Sequence, residues 1–377
     1  MAESITVAVL GGGNGAFATA GILKQKGLTV RLLEAPELAQ ETIAPVWERG
    51  GIELQNAAVA GANDGLVALD LVTDNVADAL AGADVVLYVV PAYAERRFTE
   101  LCTSHFSPDQ LVVLFAGNFG GALELASQLA RYGVRDMPTI AEMEGLLFNG
   151  FKQDQTTVRI AGYKAGLACA TLPAGDIDEA LARLKPIAAD FQPAANVLET
   201  GLRNLNPVVH GPVSILNAGR TAPDRDSWRY YWDGVTEPVG KVVEAVDAER
   251  RAVTSTFGLT VKPLMDTLLQ WYGHQGAKGD TIGEVMSTNP AYEIVTAPHT
   301  LNHRFLTEDI PFGLVPLEAL GAAVGVAMPV TGALITLASA LLGVDYRAEG
   351  RNLMRLGLEG LASSQIQHWV ETGVRPD

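Results

Sequence analysis

The stretch V-A-V-L-G-G-G-N-G-A, Val7 to Ala16, constrains the fold more than any other part of the chain. An apolar run over residues 5–10 reads as a buried strand, and a helical pattern follows the glycines as far as about Lys26, where Gly27 ends it. A glycine-rich turn between a strand and a helix matches G-x-G-x-x-A, with Gly11, Gly13 and Ala16 in the three roles. Gly11 permits the tight turn, Gly13 lets backbone approach a pyrophosphate, and Ala16 keeps the helix close to the strand. Asn14 and Gly15 complete the loop. The helix start offers free N–H groups and a partial positive charge to a phosphate.

Glu34 ends the next predicted strand, about 20 residues on, where a carboxylate hydrogen-bonds a ribose 2′-hydroxyl. No basic residue follows it directly to hold a 2′-phosphate, so NAD(H) is expected over NADP(H). Strand signals over residues 29–33, 85–90 and 111–115, with helical stretches between them, describe a doubly wound α/β sheet. Pro91, after the fourth-strand run, is placed with the loop as a cofactor contact. Shorter strand signals follow at residues 157–160 and 167–171, then a helix over 177–190.

Beyond Gln192 the strand signals fade. Helices are predicted over residues 239–257, 263–272, 317–324, 332–342 and 350–364. The fold class is therefore α/β, an N-terminal Rossmann-type doubly wound sheet followed by a mostly α-helical C-terminal domain. The boundary is set after residue 190, where Pro186 and Pro193 flank small residues, which gives domains 1–190 and 191–377. The apolar stretch 314–342 carries Glu318 and is broken by Gly325 and Pro329, so it reads as two buried helices and not a membrane span.

Composition narrows the partners. The formal net charge of −16 repels phosphate backbones and argues against nucleic acid. Cys102 and Cys169 make neither a disulfide framework nor a metal motif, and no clustered Cys/His/Asp spacing suggests a metal. With M-A-E-S-I-T lacking a basic leader, a cytoplasmic protein is expected. A monomer and a homodimer both fit.

Two stretches of the second half stand out: L-E-T-G-L-R-N-L-N-P-V-V-H-G-P-V-S-I-L-N-A-G-R, residues 198–220, and H-R-F-L-T-E-D-I-P-F-G-L-V-P, residues 303–316. With the glycine loop and the closing D-Y-R-A-E-G-R-N-L-M-R-L-G-L, residues 345–358, they make the chain resemble the opine dehydrogenases, the octopine/nopaline family, over essentially its whole length. The resemblance implies a Rossmann domain, a helical domain and an active site between them. It implies reductive condensation of an amino acid with a small α-keto acid, pyruvate first, through an imine reduced from NADH. His210 matches the catalytic histidine, Asp309 the aspartate that orients it, and Arg304 the arginine grouped with them, against the keto-acid carboxylate. Asn206, at i−4 from His210, falls on the same helix face as a substrate contact.

The chemistry suits the residues. Loss of water from a carbinolamine needs a proton donor, and histidine, with an unperturbed pKa of ~6.5, gives and takes protons near neutrality. A carboxylate on the other ring nitrogen fixes the tautomer, and an arginine fork suits a carboxylate. A hydroxy-acid dehydrogenase of the same two-domain type and a silent NAD-binding sensor remain alternatives. Of the other histidines, His105 and His368 read as surface positions, His274 sits in a glycine-containing loop, and His299 and His303, in the loop before Arg304, read as solvent-facing or as approaching the site; the aromatic run with Trp228, Tyr231 and Trp232 reads as core packing ahead of a wall of the amino-acid side-chain pocket. In E-M-E-G-L-L-F-N-G-F-K, residues 142–152, the chain departs from the family pattern at Gly145, Leu147 and Phe151, with Lys152 adjacent; either the cleft rim has drifted or the substrate pair is unusual.

Overall fold

A computed structural model describes residues 5–56 and 59–376. Met1 to Ser4, expected to lead into the first strand, lie outside the described residues. The chain forms two compact units, one of residues up to Gly201 together with those from His368 onward, the other Leu202–Gln367.

The first unit holds two sheets. Its strands are β1 (Thr6–Leu10), β2 (Thr29–Leu33), β3 (Ile52–Asn56), β4 (Gly65–Val67), β5 (Leu71–Thr73), β6 (Val85–Tyr88), β7 (Leu111–Leu114), β8 (Thr139–Met143), β9 (Phe148–Lys152), β10 (Thr157–Tyr163), β11 (Ala168–Leu172) and β12 (Gln192–Pro193). The larger sheet runs β12-β11-β8-β7-β6-β1-β2-β5. Its pairs from β5 to β8 are all parallel, and β11 joins β8 antiparallel. The residues of β1, β6 and β7 are almost wholly buried, which is why they read as continuous apolar runs. The chain leaves β1 towards β2 and returns on the other side at β6, so the order reverses at β1. The glycine loop sits at the carboxyl end of that strand, where open α/β sheets bind ligands.

The second sheet, β4-β3-β10-β9, was not expected. The strand signal at residues 157–160 belongs to this sheet, pairing parallel with β3, and does not extend the doubly wound one. A bulge at Ile160–Gly162 interrupts the pairing of β10 with β9. β9 lies on the first helix, Asn14–Gln25, and only a glycine fits at Gly150, where a Cβ would stand 2.9 Å from both the Ala18 Cβ and the Asn14 carbonyl.

The division between units falls inside the helix Val197–Arg203, later than residue 190. The reason is that residues past 190 remain tied to the larger sheet. Gln192 N–H donates to Leu167 O (2.9 Å), Ala194 N–H to Cys169 O (2.8 Å), and the Thr200 hydroxyl to Glu142 Oε1 (2.7 Å).

The second unit is helical. Glu237–Thr256, Leu264–Tyr272, Val315–Ala323 and Pro329–Leu342 answer four of the five predicted helices. The fifth, residues 350–364, is replaced by the single turn Leu353–Leu356, stopped by Gly357 at φ +73°, and the helix Ser363–Thr372 begins only after Gly360 at φ +77°. These left-handed glycines end a helix that apolar periodicity alone would continue. Gly325, at φ +74°, separates the two apolar helices. Among the described residues, no single helix is long and apolar enough to cross a membrane. Both cysteines are free and buried, and burial pushes each thiol up to about 12.

Candidate active site

The glycine loop is built as its sequence demands. Gly11 adopts φ +111°, and a Cβ there would lie 2.8 Å from the Val89 carbonyl, so no other residue fits the turn. Val89 and Val90 therefore border the loop, with Pro91 next in the chain, capping the helix Ala92–Cys102. At Gly13 a Cβ would meet nothing within 4 Å, which leaves open space above the backbone. Gly13 is also the N-cap of the first helix; it has no side chain to occupy the first-turn N–H groups of Asn14, Gly15 and Ala16, and no acidic residue stands in that turn. The Asn14 side chain accepts the Lys152 N–H at 3.0 Å.

Glu34 lies beneath the loop, 4% exposed. Its Oε1 accepts the Ala35 N–H at 2.8 Å, and a Cβ on Gly12 would come within 2.6 Å of its Oε2. Burial raises the carboxyl above the ordinary range, against the opposing N–H donations from Ala35 and Gly12. Lys152, from β9, was passed over as a candidate. Its ammonium donates to the Gly12 carbonyl at 3.3 Å and sits 3.9 Å from the Phe17 ring centroid. Burial lowers its pKa, and Glu34 opposes that shift. These residues fit a dinucleotide. They provide an open backbone face, a bare helix start, a cation beside the loop and a carboxylate at the strand end.

In the second unit, the histidine and aspartate motifs meet. His210 lies in the helix Asn206–Leu216, which Pro207 opens in its first turn and in which Pro212 is tolerated. Asp309 precedes a π turn, Ile310–Leu314, closed by Leu314 N–H on the Asp309 carbonyl at 3.0 Å. Two glycines bring the segments together. A Cβ on Gly313 would stand 2.2 Å from Pro207 Cγ, and one on Gly211 would stand 3.0 Å from Leu314 Cδ1. The result is a hydrogen bond of 2.7 Å between His210 Nδ1 and Asp309 Oδ2, with His210 7% and Asp309 6% exposed.

Aromatic groups fix the imidazole. Phe305 stacks on it with centroids 4.1 Å apart, and Tyr230 meets it edge-on at 6.0 Å. The Tyr230 hydroxyl donates to the His210 carbonyl at 3.0 Å and pairs with Ser214 Oγ at 2.7 Å. The Tyr231 hydroxyl is 2.9 Å from His210 Nε2. The aromatic run 228–232 is thus partly site and not only packing; aromatic spacing along a sequence does not distinguish a ring that packs from one whose hydroxyl reaches a histidine.

Arg304 heads the short helix Arg304–Thr307, but its guanidinium pairs with Glu308 Oε2 at 2.8 Å and its side chain is 58% exposed. Asn206 is exposed one turn before His210. His303, for which facing solvent and approaching the site were both open, is half-buried against Phe305 at 4.5 Å between centroids. Burial, then Arg304 and His210, lower its pKa, with Asp309 opposing.

Residues 193–342 match the α-helical domain of the NAD/NADP octopine/nopaline dehydrogenases. The chain is 37% identical over 371 residues to the opine dehydrogenase of Arthrobacter sp. (strain 1C), covering 98% of this chain and 100% of that one. Among solved structures it resembles an octopine dehydrogenase with NADH and L-arginine, at TM-score 0.81 and 21% identity over 99% of both chains. It also resembles a yersinopine dehydrogenase with NADP+ bound, at TM-score 0.73 and 17% identity over 98% of this chain and 99% of that one.

Proposed function

The chain belongs to the opine dehydrogenase family, and from that premise we propose that it is an NADH-dependent opine dehydrogenase, joining the amino group of an amino acid to a small α-keto acid, with pyruvate first. The observation that carries the reading is the His210–Asp309 pair at 2.7 Å, a proton-handling dyad inside the stretch, residues 193–342, that matches the family's helical domain. NADH, when bound, supplies the hydride that turns the imine carbon into the CH–NH carbon of the product.

The chain's own residues do the rest. Asn14, Gly15 and Ala16 present N–H groups to the pyrophosphate, with the backbone of Gly11 and Gly13 close beneath and Pro91 at the border. Lys152 adds a positive charge beside Gly12. Glu34 takes the ribose hydroxyl, which sets NADH ahead of NADPH. His210 protonates the departing hydroxyl of the carbinolamine, while Asp309 holds the Nδ1 proton and stabilises the imidazolium. Arg304, the exposed member of its pair with buried Glu308, turns its guanidinium to the keto-acid carboxylate, and Asn206 contacts substrate from the same helix as His210.

Two expected results test the separate halves. Replacing Glu34 with alanine weakens NADH binding by about tenfold, the loss of a charge-assisted hydrogen bond, and narrows the NADH over NADPH preference. Quenching of NADH fluorescence checks this, with the melting temperature as a control because Glu34 also accepts the Ala35 N–H. Replacing Arg304 with leucine raises KM for the keto acid by about tenfold or more while kcat falls less, since a carboxylate clamp acts on binding first. Initial rates at varied keto acid read this directly. The reading as a whole is tested by product. NADH deuterated at the transferred position should leave one deuterium on the carbon bearing the new secondary amine, and a deuterated hydroxy acid in its place would overturn it.

A further inference from the structure

The family reading leaves the proton at His210, but neither nitrogen of that ring is free. Nδ1 meets Asp309 Oδ2 at 2.7 Å and Nε2 meets the Tyr231 hydroxyl at 2.9 Å, while Phe305 covers one ring face at 4.1 Å. An ionised carboxylate only accepts, so Nδ1 carries a hydrogen and donates it to Asp309. In the neutral ring Nε2 is then bare and accepts the Tyr231 O–H. When the ring is protonated the direction reverses: Nε2–H donates to the phenol oxygen, and the phenol hydrogen is released to point elsewhere.

Resting on the opine dehydrogenase reading above, we propose that the Tyr231 hydroxyl is the terminal proton donor of an Asp309–His210–Tyr231 relay and is a catalytic residue for loss of water from the carbinolamine. The step balances. The carbinolamine C–O bond breaks and its oxygen leaves as water, taking the proton of the Tyr231 hydroxyl. The nitrogen lone pair forms the C=N bond of the iminium. The Tyr231 oxygen recovers a proton from Nε2–H, so imidazolium becomes neutral imidazole while the Nδ1 hydrogen stays on the ring, still donated to Asp309. Hydride from NADH then reduces the iminium to a neutral secondary amine, and solvent restores the imidazolium.

Three features suit Tyr231 to this role. Its ring stacks on Tyr292 at 4.2 Å between centroids, and Tyr292 meets Tyr272 at 5.4 Å, so the hydroxyl is aimed by packing. Tyr231 as a residue is half-buried and its hydroxyl has His210 Nε2 as partner, whereas the neighbouring phenol of Tyr230, 1% exposed, is spent on the His210 carbonyl and Ser214. Burial, then Asp309 and Tyr272, raise the Tyr231 pKa, so it does not rest as phenolate and hands on a proton only as the ring supplies one.

The test is Tyr231→Phe, which keeps the ring and removes the oxygen, assayed beside the parent chain and beside His210→Asn and the double variant. The relay predicts that kcat falls by about 10²-fold, within the range for one proton-transfer group, with KM for both substrates and NADH binding nearly unchanged. It predicts a changed solvent deuterium effect on kcat, and a double variant no slower than His210→Asn alone, because groups acting in one relay do not add. A kcat within about threefold of the parent, or multiplicative losses in the double variant, would overturn the relay. If Tyr231→Phe proves unstable, Tyr231→Leu replaces it in the same cycle. Should the parent oxidise NADH with a keto acid alone, the opine reading fails, yet the same variants on that reaction still decide whether Tyr231 passes the proton.

Discussion

Replacing His210 with asparagine lowers kcat by about 10³-fold, in the middle of the range for a lost general acid–base group. The imidazole is bonded at once to a carboxylate and to a phenol, at 2.7 and 2.9 Å. Its loss removes the donor for the carbinolamine hydroxyl, while residues of the glycine loop are untouched. NADH affinity should therefore match the parent. Asparagine is preferred to alanine because Asp309 is 6% exposed and would be left without a donor. An unsatisfied buried acceptor of that kind costs about 1–3 kcal/mol and would confuse activity with stability. Stopped-flow single turnovers, with the melting temperature in parallel, separate the two. A variant that folds, binds NADH and turns over near the parent rate refutes the assignment of His210.

The second large effect is at Asp309. Asp309→Asn keeps shape but removes the charge that holds the Nδ1 proton and stabilises the imidazolium. In serine-protease triads the same exchange gives the wrong tautomer and costs about 10⁴ in kcat. A loss of about 10²–10⁴ is expected here. A kcat retained in Asp309→Asn would mean the 2.7 Å contact is only structural.

The legible parts of this chain were those whose physics is local. The glycine loop and Glu34 are separated by one helix and one strand, and each glycine carries its reason in the turn it makes. The pairing of His210 with Asp309 spans 99 residues and no periodicity announces it; motif resemblance supplied it. What brings the two together, Gly313 against Pro207 and Gly211 against Leu314, is invisible until the helices are packed. Tyr231 was read as packing because its ring does pack, on Tyr292, and only its hydroxyl differs in role. Lys152 was noticed as a departure from the family pattern, but its place beside Gly12 depends on a second sheet that short, bulged strands did not signal. The failed helix at residues 350–364 shows the converse error, in which apolar spacing was trusted over two glycines.

The central claim is reductive condensation, and NADH oxidation at the nicotinamide absorbance of the purified chain tests it most directly. Pyruvate, then other small α-keto acids, are supplied alone, then an amino-acid pool alone, then both together. Oxidation that requires both, and whose rate saturates in each, is the predicted result. Oxidation at full rate with the keto acid alone would contradict it and make His210 the proton donor to an alkoxide.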